Sequence, residues 1–228
     1  LFVIGVIFQN YPQLILEQNY DIWINQLIEI FEATLQFDEK QQLNISEDNC
    51  SIFERYANII YSISTLWYST SNEDSKLHLY FDRFYKIINT LIKYGIKNKF
   101  NNLIEKSSEA LNRMISFSTP EMLSTISNLY EKTLDELLQF KNSLIEEEET
   151  FSIAASFYCS NLTTILLELK NNDEIISQYS EQTIQVLFEI LEVKNEKLWK
   201  EIFWTISSLI IASASKNIDV FTPYTFNI

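Results

Sequence analysis

The chain has 228 residues, of which 46% are hydrophobic, with two glycines, three prolines and a net charge of −14. Sandwiches, barrels and α/β folds need more turn residues than this, so the composition predicts long helices joined by polar loops. Because so acidic a surface repels phosphate, we expect no nucleic-acid partner, whereas basic partners are favoured.

In chain order, the first predicted elements are an apolar run at 1–8 and an amphipathic helix at 20–36. After them, an apolar pattern at i, i+1, i+4, i+7 and i+8, which is one face of a helix, occurs four times. Its copies start at residues 59, 110, 158 and 202, so they lie 51, 48 and 44 residues apart. The pattern is filled by Ile59, Ile60, Ile63, Leu66 and Trp67, then Ala110, Leu111, Met114 and Phe117 with Ser118 at the last place, then Tyr158, Cys159, Leu162, Ile165 and Leu166, and then Ile202, Phe203, Ile206, Leu209 and Ile210. We call each of these four helices a helix A.

A second amphipathic helix, helix B, follows each of the first three copies. The B helices are predicted at 77–94, 121–140 and 176–192, with the helix at 20–36 as an earlier member and another beginning near residue 220. A proline lies between A and B at Pro12, Pro120 and Pro223. Proline cannot continue helix A but is tolerated in the first turn of helix B. The chain is therefore predicted to alternate A and B helices over about four and a half units.

Two-helix units of this length are typical of HEAT repeats, since armadillo units have three helices and tetratricopeptide units are shorter. One helix pair cannot bury its apolar face alone, so stacked pairs share a core. The prediction is an all-α superhelix, a HEAT-repeat solenoid of about four to five antiparallel helix pairs, with an ordinary helical bundle as the alternative. It spans 1–228 as part of a longer chain, with approximate repeats at 1–37, 52–95, 101–142 and 150–193 and a partial repeat at 197–228.

Residues for catalysis or metal binding are scarce. His78 is the only histidine, Cys50 and Cys159 lie in no metal-binding spacing, and two glycines cannot build a phosphate-binding loop. The consecutive carboxylates at 146–149 would point to different sides of a helix. We therefore predict a protein that is not an enzyme and has no catalytic residue, metal or cofactor, with Cys159 as a buried thiol.

Two apolar features bear on partners and on association. The uncharged stretch 202–215 has 14 residues, fewer than the roughly 20 that span a bilayer, so we predict no membrane insertion. The apolar runs at 1–8 and 220–228 lack polar caps, so we predict association or instability of the isolated chain. We also expect the aromatic rings of Tyr61 and Trp204, at equivalent places in two A helices, to pack between repeats, with contact to a partner as the alternative.

Acidic residues are frequent at the non-core positions of the B helices. They are Asp21, Glu29, Glu32, Asp82, Glu131, Asp135, Glu136, Glu181, Glu189 and Glu192. In a HEAT solenoid the B helices line the concave side, so these acids predict an acidic inner surface for a basic partner helix. The predicted contact residues are Asp82, Glu131, Asp135, Glu181 and Glu189, and scattered solvation of the helices is the alternative.

Three stretches resemble the importin-β (karyopherin-β) family in their order and spacing. Residues 199–209, WKEIFWTISSL, followed by 221–224, FTPY, are similar to the family's helix A and to the start of its helix B. Residues 54–66 resemble an earlier helix A, and 103–117 with 129–140 resemble the next pair. The chain departs from the family in having Tyr61 where Trp is frequent and 213–215, SAS, where a glycine-containing turn is usual.

The resemblance implies the central HEAT repeats of a nuclear import receptor. Such a receptor would bind a basic import signal, or the basic helix of an importin-α adaptor, on its concave B helices. It would bind phenylalanine–glycine nucleoporins between its outer A helices and Ran through the full-length receptor, and it would work in the cytoplasm, the nucleus and the nuclear pore. The alternatives are a different karyopherin, a phosphatase-type regulatory subunit, or an enzyme domain of the helical-bundle type.

Overall fold

The computed structural model describes residues 20–41, 47–69, 79–116, 122–145, 149–193 and 195–213. Within these ranges the regular structure is helical, with eight α-helices and no strand. The helices are α1 (Tyr20–Gln41), α2 (Glu47–Ser69), α3 (Phe81–Asn98), α4 (Asn101–Ile115), α5 (Leu123–Ile145), α6 (Glu149–Leu169), α7 (Asp173–Leu191) and α8 (Glu196–Ser213). The predicted A helices are α2, α4, α6 and α8, and the B helices are α1, α3, α5 and α7. The all-α repeat fold is thus confirmed, while the apolar runs at 1–8 and 220–228 lie outside the described residues.

The chain divides into two compact units, Leu1–Phe117 and Ser118–Ile228. In the first unit α2 contacts α4 and α1 contacts α3, so like helices lie side by side, and α3 also contacts α2 and α4. The second unit repeats this plan, with α6 beside α8, α5 beside α7, and contacts from α5 to α6, α6 to α7 and α7 to α8. Each unit is therefore a layer of A helices packed against a layer of B helices.

The turn between α3 and α4 shows how the sequence brings a B helix against the following A helix. Lys99 adopts the left-handed conformation, with φ of 59°, and its N–H and that of Phe100 bond back to the last turn of α3. Gly95 lies four residues earlier, where an added Cβ would be 2.8 Å from Cγ1 of the buried Ile104. Glycine at this position therefore lets α4 approach α3 closely.

Buried aromatic side chains join the helices within each unit. In the first unit the rings of Phe31 and Tyr56 are 4.2 Å apart between centroids, and the Tyr56 hydroxyl is 3.0 Å from Thr34 Oγ1. In the second unit Tyr130 on α5 packs edge-on against Tyr179 on α7 at 5.1 Å. These rings fill the space between neighbouring helices, so the core of each unit continues from one helix pair to the next.

Candidate partner-binding surface

The α6–α8 contact positions the A layer of the second unit. Thr205 Oγ1 lies 3.0 Å from the carbonyl oxygen of Cys159 and 3.0 Å from Thr163 Oγ1. Cys159 is fully buried, and this burial raises the pKa of its thiol to about 12. The thiol is therefore protonated and shielded near neutral pH, so Cys159 is a packing residue, as predicted.

The B layer of the second unit holds four of the five predicted contact residues. Helices α5 and α7 have equivalent buried positions 50 residues apart, namely Ile126 and Ile176, Tyr130 and Ser180, and Leu134 and Ile184. In this alignment Glu131 corresponds to Glu181, and both side chains are exposed. Asp135 lies one turn after Glu131 and is also exposed, while Glu189 is half-buried and accepts a hydrogen bond of 3.0 Å from Gln185 Nε2.

These four carboxylates form a surface that we call the acidic B face, defined by Glu131, Asp135, Glu181 and Glu189. Because α5 contacts α7, the face extends over two neighbouring helices. Each helix contributes two of the four carboxylates, and α7, with four acidic residues in all, has no basic one. Carboxylates on two adjacent helices can bind several cationic side chains of one partner.

The fifth predicted contact residue, Asp82, lies in the other unit. It is exposed in the first turn of α3, where a negative charge is favourable for the helix dipole. It is the only acidic residue on α3, which also carries four basic residues. The expectation of an acidic surface along all B helices is therefore wrong for α3.

Another acidic residue of the predicted surface, Glu32, forms an ion pair with Arg83. Arg83 Nη2 donates to Glu32 Oε2 at 2.8 Å and Arg83 Nε donates to Glu32 Oε1 at 3.1 Å, which joins α3 to α1. Arg83 also donates to the amide oxygen of Asn25, and Asn25 donates to the Tyr80 hydroxyl. The hydrogen bonds from Arg83 lower the pKa of Glu32. Glu32 is thus engaged between two B helices and contributes no uncompensated charge to a partner surface.

Exposed aromatic and aliphatic side chains lie along α8. Ile202 and Leu209 are buried as the repeat pattern predicts, but Phe203 is 51% exposed and Ile210 is 48% exposed. The equivalent residues of α6, Cys159 and Leu166, are fully buried. The repeat pattern therefore predicts burial of Phe203 and Ile210 incorrectly. The periodicity identifies apolar positions but does not show which neighbouring side chains cover them.

The two aromatic residues at equivalent A positions differ in their packing. Arg113 on α4 has its guanidinium carbon 6.0 Å from the ring centre of Tyr61 on α2, so Tyr61 does meet the next A helix. Trp204 on α8 is 59% exposed. The expected packing between repeats is therefore found for Tyr61 and not for Trp204 in the part of the chain that the structure describes.

Several residues with side chains suited to catalysis or metal binding lie outside the described ranges, including His78 and 146–148. The side chain of Cys50 also lies outside the described part of the structure. Among the residues that are described, no group of three or more His, Cys, Asp and Glu side chains is placed to hold a metal ion. Nor does any helix of those ranges have the length and apolar character to cross a membrane.

The family model described as importin subunit beta-1-like, TPR repeats, matches residues 47–227, a range that includes α2 to α8. No curated protein and no solved structure is significantly similar to the chain.

Proposed function

The chain belongs to the importin subunit beta-1-like family of helical repeats, and we propose that it is a non-enzymatic scaffold of a nuclear import receptor. It binds a basic segment, either the import signal of a cargo or the basic helix of an importin-α adaptor, through the acidic B face. Its place of action is the cytoplasm, the nucleus and the nuclear pore. Nucleoporins with phenylalanine–glycine repeats and Ran bind the full-length receptor.

The observation that carries this proposal is the absence of any basic residue from α7, together with the exposed carboxylates at equivalent places on α5 and α7. A single exposed ion pair contributes about 0.2–1 kcal/mol. Three or four pairs formed along one basic helix would together change the affinity by about one to two powers of ten. Such pairs are screened by salt, so the binding has a recognisable salt dependence.

The test uses a fluorescent, arginine- and lysine-rich helical peptide and measures its anisotropy on the full chain at about 50 mM and about 500 mM salt. The site variant combines Glu131→Gln, Asp135→Asn and Glu181→Gln. The matched control combines Glu105→Gln, Glu149→Gln and Glu196→Gln, which are exposed acids on A helices. Both variants make the net charge less negative by the same three units.

We expect the wild-type chain to bind the peptide at low salt and to lose most of the affinity at high salt. The site variant should weaken binding about tenfold, and the control variant less than twofold. Affinity that is indifferent to salt, or equal weakening by the two variants, would show that the acidic B face does not bind the basic segment.

A further inference from the structure

Helix α3 is the only net-basic helix among the eight in the described ranges. It carries Arg83, Lys86, Lys93 and Lys97 against one acid, Asp82, in a chain with 17 basic and 31 acidic residues. The other seven helices have as many acidic residues as basic ones, or more. The positive charge of α3 therefore departs from the composition of the whole protein.

Three of these residues form one face of the helix. Lys86, Lys93 and Lys97 are exposed and follow one another at i, i+7 and i+11, which places them on one side over about 16 Å. The opposite side, including Phe84, Ile88 and Leu91, is at most 1% exposed. We call Lys86, Lys93 and Lys97 the lysine face. Arg83 is not part of it, because its guanidinium is bound to Glu32.

Helix stability explains only part of this arrangement. Lys97 lies in the last turn, where a cation is favourable for the helix dipole. Lys86 lies in the first half of the helix, where the dipole disfavours a cation, although Glu32 on α1 attracts it. The exposed charges therefore extend along the helix rather than gathering at its C-terminal end.

The position of the lysines relative to the other B helices is more informative. The buried residues Phe84, Ile88 and Ile92 of α3 correspond to Ile126, Tyr130 and Leu134 of α5. In that alignment Lys93 stands where α5 has Asp135, and Lys97 stands where α7 has Glu189. Equivalent places on the B helices thus carry opposite charge in the two units, so a basic segment that fits the acidic B face would be repelled by α3.

We propose that the lysine face binds an acidic segment of a protein partner, one in which three or more Asp or Glu side chains reach along α3. At physiological ionic strength charges interact over about 8 Å, so this face acts locally despite the net charge of −14. A short acidic segment is contained within the face. A nucleic acid extends beyond it and meets the acidic remainder of the chain, which disfavours that alternative.

The test measures the anisotropy of a fluorescent, glutamate-rich peptide of about 12 residues, long enough as a helix to cover the face. A peptide with glutamine in place of glutamate is the probe control. The site variant of the full chain combines Lys86→Gln, Lys93→Gln and Lys97→Gln. The matched control combines Lys170→Gln, Lys197→Gln and Lys200→Gln, three exposed lysines of the second unit. Glutamine is a good helix former, so circular dichroism should show unchanged helix content in both variants.

We expect binding of the glutamate peptide by the wild-type chain, at least tenfold weaker binding by the site variant, and less than a twofold change in the control. The site variant should bind the basic peptide no more weakly than the wild-type chain does, which separates this proposal from the function proposed above. The proposal that the lysine face binds an acidic segment would be overturned if the wild-type chain did not bind the glutamate peptide, or if both variants lost affinity equally. Tighter binding of a single-stranded RNA homopolymer, lost in the site variant, would assign the face to nucleic acid instead.

Discussion

At the residue scale, one buried pair of hydroxyl groups connects the B helices of the second unit. The hydroxyl of Tyr130 is 2.6 Å from Thr183 Oγ1. Thr183 donates its own hydrogen to the carbonyl oxygen of Tyr179 at 2.7 Å. Since a hydroxyl has one hydrogen, Tyr130 must donate to Thr183. The burial of Tyr130 raises the pKa of its phenol, so the group stays protonated and remains a donor.

This assignment of donor and acceptor predicts unequal effects of two substitutions. Thr183→Val removes the hydroxyl that accepts the hydrogen bond from Tyr130 and leaves the Tyr130 hydroxyl buried, which should cost about 1–3 kcal/mol of unfolding free energy. Tyr130→Phe removes the donor while Thr183 keeps its bond to Tyr179, so the cost should be about 1 kcal/mol. Urea denaturation followed by circular dichroism gives both values. A larger cost for Tyr130→Phe would mean that the donor had been assigned to the wrong residue.

The ion pair between Glu32 and Arg83 gives a second prediction, about pH. Arg83 lowers the pKa of Glu32 below its ordinary value of 4.5. The stabilisation is therefore fully present above that value, and it is lost as the pH falls through the lowered pKa of the folded state. In Glu32→Gln this contribution is absent at every pH. The urea midpoints of wild type and variant should differ most at neutral pH and converge in acid.

The control for this pair is Glu105→Gln, an exposed residue of α4 in the same unit. It should leave the urea midpoint almost unchanged at neutral pH and in acid. If the gap between wild type and Glu32→Gln were the same at pH 7 and in strong acid, the Glu32 carboxylate would not be the source of the stabilisation.

At the scale of elements, the sequence predicts which segments are helical but not all of their ends. The second helix B was expected at 77–94, whereas α3 is Phe81–Asn98. The predicted helix ends at the residue before Gly95. Gly95 instead lies inside α3, because the missing side chain makes room for Ile104 of α4. A glycine that ends a helix and one that allows close packing cannot be told apart without the neighbouring helix.

The candidate site was only partly predictable for the same reason. Glu131 and Glu181 were identified from their place on B helices, and the structure puts them at equivalent exposed positions. Glu32 could not be recognised as paired, because Arg83 is 51 residues away and reaches it only through the α1–α3 contact. The lysine face could have been found from the spacing of its residues within an acidic chain.

Helix α8 supplies a prediction about association. Association was expected from apolar runs that lie outside the described residues, but α8 itself exposes a row of large apolar side chains. They are Trp199, Phe203, Trp204, Ile210 and Ile211. An exposed apolar surface of this kind favours association in water. The isolated chain should therefore show concentration-dependent self-association in sedimentation velocity, and Phe203→Gln with Trp204→Gln should reduce it.

The control for α8 replaces two exposed apolar residues that lie on different helices, Ile52→Gln on α2 and Leu138→Gln on α5. Because these residues lie on other helices than the exposed apolar residues of α8, the control should associate as the wild-type chain does. A wild-type chain that stays monomeric at high concentration would contradict the prediction, as would equal effects of the two double variants.

At the scale of the whole molecule, the charge has two different consequences. With a net charge of −14, the carboxylates of the folded chain repel one another, which lowers its stability. The local distribution, acidic on α7 and basic on α3, determines which segments each helix can bind. Salt weakens both effects. By screening the net repulsion it changes the stability of the fold, and by screening the local charges it changes the affinity for a charged segment. The two can therefore be measured separately on the same protein.

The stability measurement provides the last prediction. Raising the salt concentration from about 10 mM to about 150 mM shortens the screening length from about 30 Å to about 8 Å. This weakens repulsion between distant carboxylates more than it weakens close pairs such as Glu32 and Arg83, so the melting temperature should rise. The triple variant Glu105→Gln, Glu149→Gln and Glu196→Gln carries three fewer negative charges and should show a smaller rise. A melting temperature that falls with salt would mean that attractive pairs, rather than net repulsion, dominate the electrostatics of the fold.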